Sequence, residues 1–184
     1  GETMARLDVL FDGYGNDDGV AGTVTLLRDG DVTAIVDPGM VPSRASILDP
    51  LGALGVDREQ VTDIILSHHH PDHTMNIALF GEDVTVHDHW ASYLRDQWTP
   101  RPAEGVRLSP GIKLLETPGH TPQDITTLVE TDDGVAALTH LWVWQDSPGS
   151  GLDVDPAAVE EHRVRILEKA SIIIPGHGPS FRVR

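Results

Sequence analysis

Four histidines and an aspartate fall within six consecutive residues of this chain, which read His68-His69-His70-Pro71-Asp72-His73. The cluster directly follows Val61–Leu66, an apolar run that predicts a buried strand. In an extended backbone His68 and His70 point to the same side. The proline then turns the chain, so that Asp72 and His73 can approach the first pair. Imidazole and carboxylate are ligands of zinc, with manganese or iron as alternatives, and the cluster therefore predicts a metal site.

A stable metal site needs more ligands than one loop can aim at an ion, so we expect further ligands from elsewhere in the chain. His120, His140 and His177 are isolated histidines, and each stands at or just past the end of a predicted strand. Packing does not readily explain three such placements. These histidines are therefore predicted to join the first cluster.

The remaining four histidines are not predicted to bind metal. His69 should point away from its two neighbours and serve a packing or supporting role. His87 and His89 flank Asp88 after a predicted strand, which favours a structural or surface role. His162 lies on a predicted helix and receives no functional interpretation.

Apolar runs and turn residues predict an α/β chain with two sheets in the middle and helices outside. Pro50 should kink or split the first predicted helix. The predicted strands are Val24–Leu27, Thr33–Val36, Val61–Leu66, Val84–Val86, Ile112–Glu116, Ile125–Val129, Val135–Leu138 and Ile172–Ile174. The predicted helices are Ser43–Leu54, a short one beginning near Thr74, His89–Gln97 and Pro156–Lys169.

Composition narrows the remaining possibilities. A length of 184 residues predicts one domain, residues 1–184. The absence of cysteine excludes disulfides, thiolate zinc sites and a cysteine nucleophile. A net charge of −16 argues against nucleic acid as a partner, since phosphate neutralisation needs Lys and Arg. The longest apolar run, Val135–Trp144, is too short to span a bilayer. We expect a cytoplasmic monomer or homodimer acting on a small molecule, with no membrane contact.

The histidine cluster resembles the His-x-His-x-Asp-His signature of the metallo-β-lactamase superfamily, and in particular its short single-domain members related to the glyoxalase II branch. The turns around His120 and His177, both reading Pro-Gly-His, are similar to the later metal-binding turns of that family, and Asp37 matches its early Asp-x-Gly turn. The resemblance implies an αββα four-layer sandwich with a dinuclear metal site. It places His68, His70 and His120 on a first zinc and Asp72, His73 and His177 on a second.

One position departs from the family pattern. The family places an aspartate that bridges both metals where this chain has Thr139-His140. A neutral imidazole offers one lone pair and normally binds one metal. Three outcomes stay open: His140 binds one zinc and leaves water or hydroxide as the bridge, the second metal binds weakly, or the site is degraded and inactive.

The resemblance implies a zinc hydrolase that uses a metal-bound hydroxide, with Asp72 as both ligand and orienter of the attacking water. The substrate would be a small ester, thioester, lactone or lactam. Alternatives are a metal-binding protein with weak or no hydrolase activity, because of His140, and a phosphodiesterase or nuclease. Tryptophans are candidates for an aromatic pocket wall or rim, with core packing as the alternative for the first two: Trp142, Trp144, Trp90 and Trp98.

Overall fold

The computed structural model describes residues 4–148 and 151–184. The helices are α1 (Ala45–Ala53), α2 (Pro71–Thr74) and α3 (Pro156–Leu167), and single 3₁₀ turns lie at Arg58–Gln60 and Ile77–Leu79. The strands are β1 (Arg6–Phe11), β2 (Tyr14–Asn16), β3 (Gly19–Ala21), β4 (Val24–Asp29), β5 (Val32–Val36), β6 (Asp63–Ile65), β7 (Thr85–His87), β8 (Ala91–Leu94), β9 (Gln97–Pro100), β10 (Arg107–Ser109), β11 (Ile112–Glu116), β12 (Ile125–Thr131), β13 (Gly134–Leu138), β14 (Ile172–Ile174) and β15 (Phe181–Arg182).

Two sheets form the centre of the fold. The first has seven strands in the order β1-β4-β5-β6-β7-β8-β9, and the second has six in the order β10 to β15. A separate hairpin pairs β2 with β3. Within the described residues no helix is long and apolar enough to cross a membrane.

Three apolar clusters show how the layers stack. One lies between the sheets and joins residues such as Ile65 of the first sheet to Leu114 of the second. Another packs α1, through Ile47 and Leu51, on the outer face of the first sheet. The third packs α3 on the outer face of the second sheet. This helix–sheet–sheet–helix order confirms the predicted αββα sandwich.

Strand direction brings the ends of several strands to one edge. In the first sheet β5, β6 and β7 are parallel, so Asp37 and His68 leave the sheet on the same side. In the second sheet β13 and β14 are parallel, so His140 and His177 do likewise. Functional loops commonly lie at the carboxyl ends of parallel strands, where several of them meet.

The helix predicted at His89–Gln97 is wrong, because this segment forms the β8–β9 hairpin. Asp88 accepts hydrogen bonds from the backbone N–H groups of Trp90 and Ala91, which produces a turn where a helix would begin. Tyr93 pairs with Trp98 across the hairpin, with ring centroids 4.7 Å apart. Aromatic cross-strand pairs of this kind favour strand over helix.

The predictions of the first and last helices are confirmed with changed ends, whereas the short helix predicted to begin near Thr74 is wrong in position. Helix α1 runs through Pro50 as one element, so Pro50 does not split it; Ile47 and Leu51 on either side are both fully buried against the first sheet. Helix α2 ends at Thr74 instead of beginning there, and Pro71 occupies its first turn, where a missing N–H costs nothing. Helix α3 is capped by the Asp155 side chain, which accepts from Ala158 N–H.

Gly39 allows two loops of the site to touch. A side chain there would overlap the backbone carbonyl of Asp72, whose oxygen also accepts a hydrogen bond from Met40 N–H at 3.0 Å. We expect Gly39→Ala to lower the free energy of unfolding by about 2–3 kcal/mol, as for other overpacked contacts. Urea unfolding measures this.

Gly52→Ala is the matched control, because a side chain at Gly52 of α1 meets nothing within 4 Å. It should leave stability unchanged or raise it by up to about 1 kcal/mol. Equal effects of the two substitutions would contradict the role given to Gly39.

Candidate metal centre

All seven residues that the sequence marked as metal ligands meet at the shared edge of the two sheets. His68 follows β6, and His73 lies in α2, whose start carries Asp72. His140 and His177 follow β13 and β14. The seven residues, which we call the histidine centre, are His68, His70, Asp72, His73, His120, His140 and His177.

Asp37 orients two of these histidines at once. Its carboxylate accepts from Ser67 N–H at 2.7 Å, from Ser67 Oγ at 2.6 Å and from His73 Nδ1 at 2.8 Å. Since Ser67 Oγ donates to Asp37, it can accept from His68 Nδ1, which lies 2.9 Å away. Both rings therefore turn their Nε2 atoms to the centre. Asp37 itself has a φ of 54°, which is rare for a residue with a side chain.

Two further histidines are held in the same way by acceptors from distant parts of the chain. His120 Nδ1 donates to Asp153 at 2.8 Å, and His177 Nδ1 donates to the carbonyl oxygen of Ala21 at 2.8 Å. Neither a carbonyl nor an ionised carboxylate can donate, so each interaction places a proton on Nδ1 and turns Nε2 toward the centre. This is how proteins orient histidines that bind metals.

The inward nitrogens form two groups that share one member. Ligand atoms of His68, His120 and His140 lie within 4.8 Å of one another, and so do those of His73, His140 and His177. His70 approaches the first group, with its Nδ1 3.2 Å from His120 Nε2. Each group has the size and donor set that a divalent transition metal needs.

Among the described residues, two buried nitrogens of this centre have no hydrogen-bond partner: His68 Nε2 and His140 Nδ1. A buried polar atom without a partner is costly unless something else satisfies it. Both atoms belong to residues of the first group, so a metal ion fits these residues.

His140 occupies the place between the two groups. Its ring stacks on that of His120, with centroids 4.2 Å apart and planes 25° apart. Its other edge lies against Gly176, where a side chain would overlap the ring. Burial, followed by the charge of neighbouring His73, lowers the pKa of His140 far below its usual value. The ring is therefore neutral at pH 7 and available as a ligand.

Asp72 and His73 form the charged part of the centre. Asp72 Oδ2 lies 3.1 Å from Nε2 of both His73 and His177. Burial would raise the pKa of Asp72, but these hydrogen bonds outweigh it and hold the pKa far below its usual range. Burial lowers the pKa of His73, whereas the neighbouring Asp37 and Asp72 carboxylates raise it to about 9. A cation that binds His73 Nε2 must therefore displace a proton.

Two carboxylates next to the centre, Asp153 and Asp124, were not predicted from the sequence. Asp153 precedes α3, far along the chain from His120, and only the fold joins them. Asp124 is buried beside His68, with Oδ1 3.6 Å from His68 Nδ1, and its other oxygen accepts from Thr121. Burial raises the pKa of Asp124 to about 7.

The other histidines lie outside the centre, as predicted. His69 turns away from its neighbours, contacts Asp88 at 2.8 Å and stacks on Trp90 with centroids 4.9 Å apart. It ties the ligand loop to the β7–β8 connection. His87 contacts Asp63 at 2.8 Å, a structural interaction.

A cleft of about 410 Å³ opens over the histidine centre. None of the four tryptophans lines it, so the predicted aromatic wall and rim are wrong, and the alternative of core packing is confirmed for Trp142. Trp142 is buried behind the second sheet with Arg163 over its ring, and Trp98 lies on the edge hairpin. The cleft wall is aliphatic instead. Its lining residues are Gly15, Val20, Met40, Pro71, Val143 and Leu152, together with five members of the centre.

The fold packs two sheets between helices. Oriented histidines and an ionised aspartate lie where strands of both sheets end. This combination is that of a metallo-hydrolase. The chain belongs to the metallo-beta-lactamase superfamily, because the model of that family matches residues 17–180. A solved structure from Thermotoga maritima, assigned to the metallo-beta-lactamases, superposes with a TM-score of 0.77 at 20% identity, covering 97% of this chain and 99% of that one.

Curated relatives agree with this family. Metallo-beta-lactamase domain-containing protein 1 of Xenopus laevis is 35% identical over 188 residues, covering 95% of this chain and 80% of that protein. The human protein of the same name is 31% identical over 157 residues. This match covers 81% of this chain, and the chain spans 59% of the human protein's length.

Two relatives carry the names of hydrolases. An N-acyl homoserine lactonase of Bacillus sp is 28% identical over 153 residues, covering 71% of this chain and 61% of that protein. A hydroxyacylglutathione hydrolase of Rhodopseudomonas palustris (strain BisB18) is 30% identical over 125 residues, covering 64% and 47%. The predicted link to the glyoxalase II branch thus has only loose support.

Asp153 provides a test of histidine orientation. Asp153→Asn keeps the shape of the side chain but removes its charge, so His120 loses its charged acceptor. We expect metal affinity to fall about 10–100-fold, the usual effect of losing such a partner. Competition with a chromogenic chelator measures the affinity.

Asp132→Asn makes the same change on the exposed β12–β13 turn and should leave the affinity unchanged. An Asp153→Asn protein that binds metal as tightly as this control would rule out the orienting role.

Proposed function

We propose that the protein is a zinc-dependent hydrolase of small esters, thioesters, lactones or lactams. The observation that carries the proposal is the set of inward-facing imidazole nitrogens, four of which have their opposite nitrogen held by a hydrogen-bond acceptor. Such preorganisation is expected of a metal site and has no evident use in packing alone. The lactonase and hydroxyacylglutathione hydrolase relatives, both named for acyl hydrolysis, favour these substrates.

In this proposal the centre holds up to two ions. His68, His70 and His120 bind one, and Asp72, His73 and His177 bind the other, with His140 available to either. Manganese and iron are alternatives, because the same nitrogen and oxygen donors serve them. A bound ion would supply a Lewis acid that polarises a carbonyl oxygen and lowers the pKa of water to about 7.

Asp72 is the proposed catalytic residue. It lines the cleft, and its low pKa keeps it ionised at neutral pH. An ionised carboxylate accepts hydrogen bonds and donates none, so Asp72 can orient an attacking water by accepting a hydrogen bond from it. Asp37 keeps His73, the neighbour of Asp72, in place by accepting a hydrogen bond from its Nδ1.

A second candidate function follows from His140. The single imidazole of His140 belongs to both groups of candidate ligands, where the family has a bridging carboxylate. If the second ion is consequently lost, the protein is a metal-binding protein with little or no hydrolase activity. A phosphodiesterase or nuclease is a weaker candidate, given the net charge of −16.

A substrate panel with and without a chelator tests the function. It contains a 4-nitrophenyl ester, a thioester, a lactone, a β-lactam and bis(4-nitrophenyl) phosphate. We expect hydrolysis of at least one acyl substrate, its loss with chelator and its return with zinc. His120→Ala should lower both zinc content and hydrolysis, the latter by more than ~100-fold, since losing even an outer partner costs about 10–100-fold.

His162→Ala, the same change on α3, is the control and should keep both properties. Hydrolysis of the phosphodiester alone would favour the nuclease. Bound zinc without any hydrolysis would favour the metal-binding protein.

His140 can be tested by restoring the family's aspartate. His140→Asp should tighten the weaker metal about tenfold or more, because one carboxylate can bind two cations. His140→Asn has the same shape without the charge and should not. Zinc titration with metal analysis gives affinity and stoichiometry. If the His140→Asp and His140→Asn variants bind zinc with the same affinity and stoichiometry, His140 does not occupy the bridging position.

A further inference from the structure

The cleft above the histidine centre has a polar floor and an aliphatic rim. The floor consists of His70, Asp72, His120, His140 and His177. The rim includes Val20, 46% exposed, Met40, 36% exposed, and Leu152, 79% exposed. Apolar side chains that are exposed together around a polar site indicate a surface for an apolar part of a ligand.

The rim is assembled from distant parts of the chain. Val20 comes from β3, Met40 from the loop before α1, Val143 from the loop after β13, and Leu152 from the segment before α3. The β2–β3 hairpin that carries Val20 is anchored to the centre, since His177 Nδ1 donates to Ala21. The apolar rim is therefore held directly over the groups proposed to react.

No lysine or arginine is found among the cleft residues that the structure describes. The hairpin that supplies Gly15 and Val20 ends in Asp17 and Asp18, so the charge beside this wall is negative. Arg44, near Met40 in the chain, is directed to Asn76 Oδ1 at 3.4 Å. A substrate carboxylate or phosphate at the rim would thus lose water without gaining a charged partner, which is costly.

We propose that the cleft selects uncharged acyl substrates with an aliphatic chain, such as alkyl esters or alkyl-substituted lactones, and rejects those with an anionic chain end. This proposal rests on the proposed hydrolase function and names its substrate class. The carbonyl would lie over Asp72 and the histidines, and the chain would lie along Val20, Met40 and Leu152. The volume of about 410 Å³ is within the usual range of small-molecule sites.

The first experiment varies chain length and charge in the zinc-loaded protein. The neutral probes are 4-nitrophenyl acetate, butyrate, hexanoate and octanoate. We expect kcat/KM to rise about two- to fourfold per methylene, the upper figure corresponding to full burial of each CH₂. A second comparison uses two esters of similar shape that differ in charge: the neutral 4-nitrophenyl 6-methylheptanoate and 4-nitrophenyl hydrogen adipate, whose chain ends in a carboxylate. The neutral ester should be preferred at least tenfold.

The second experiment places a cation on the rim. Val20→Lys should reduce or reverse the preference for the neutral member of the pair. Val164→Lys is the matched control, since Val164 is 59% exposed on α3 and does not line the cleft. It should leave the preference unchanged.

The outcomes separate the two proposals. Chelator-sensitive hydrolysis with no dependence on chain length, or with preference for the adipate ester, overturns the substrate class and leaves the hydrolase function standing. If the Val20→Lys protein prefers the neutral ester as strongly as the Val164→Lys control does, the role of the rim is likewise overturned. No chelator-sensitive hydrolysis of any probe or panel member overturns the hydrolase function and the substrate class together.

Discussion

The carboxylate of Asp37 is the interaction on which the histidine centre depends. It accepts three hydrogen bonds, and through them it sets the ring of His73 directly and that of His68 by way of Ser67. Asp37 has an unusual φ of 54° and directly follows β5, beside the loop that leaves β6. Without this buried carboxylate His73 would lose its Nδ1 acceptor and the charge that most raises its pKa, and the Ser67 hydroxyl would lose the partner that orients it toward His68.

Parallel strands convert this local arrangement into a site. Asp37 and Ser67 come close because β5 and β6 run side by side, and His140 and His177 come close because β13 and β14 do. Packing between the sheets, exemplified by Ile65 and Leu114, then sets one pair of strand ends against the other. The centre is therefore a product of topology, and its aliphatic rim is added by loops.

The two-sheet sandwich and the candidate metal ligands could both be predicted from the sequence. Candidate ligands such as His68 and His73 are close in the chain, and the histidines at strand ends could be found once the strands were assigned correctly. Asp153 could not be found, because nothing in its surroundings marks it and contact with His120 exists only in the fold. The Ala91–Pro100 hairpin was missed because its apolar residues fit helical spacing, while the turn formed by Asp88 decides the outcome.

Each group of metal-binding candidates draws on both sheets. One combines His68 of the first sheet's edge with His140 of the second, and the other combines His73 with His140 and His177. An ion held there would act as a non-covalent cross-link in a chain that has no cysteine for a disulfide. Because such an ion binds only the folded state, metal supply would also govern how firmly the two halves of the sandwich stay together.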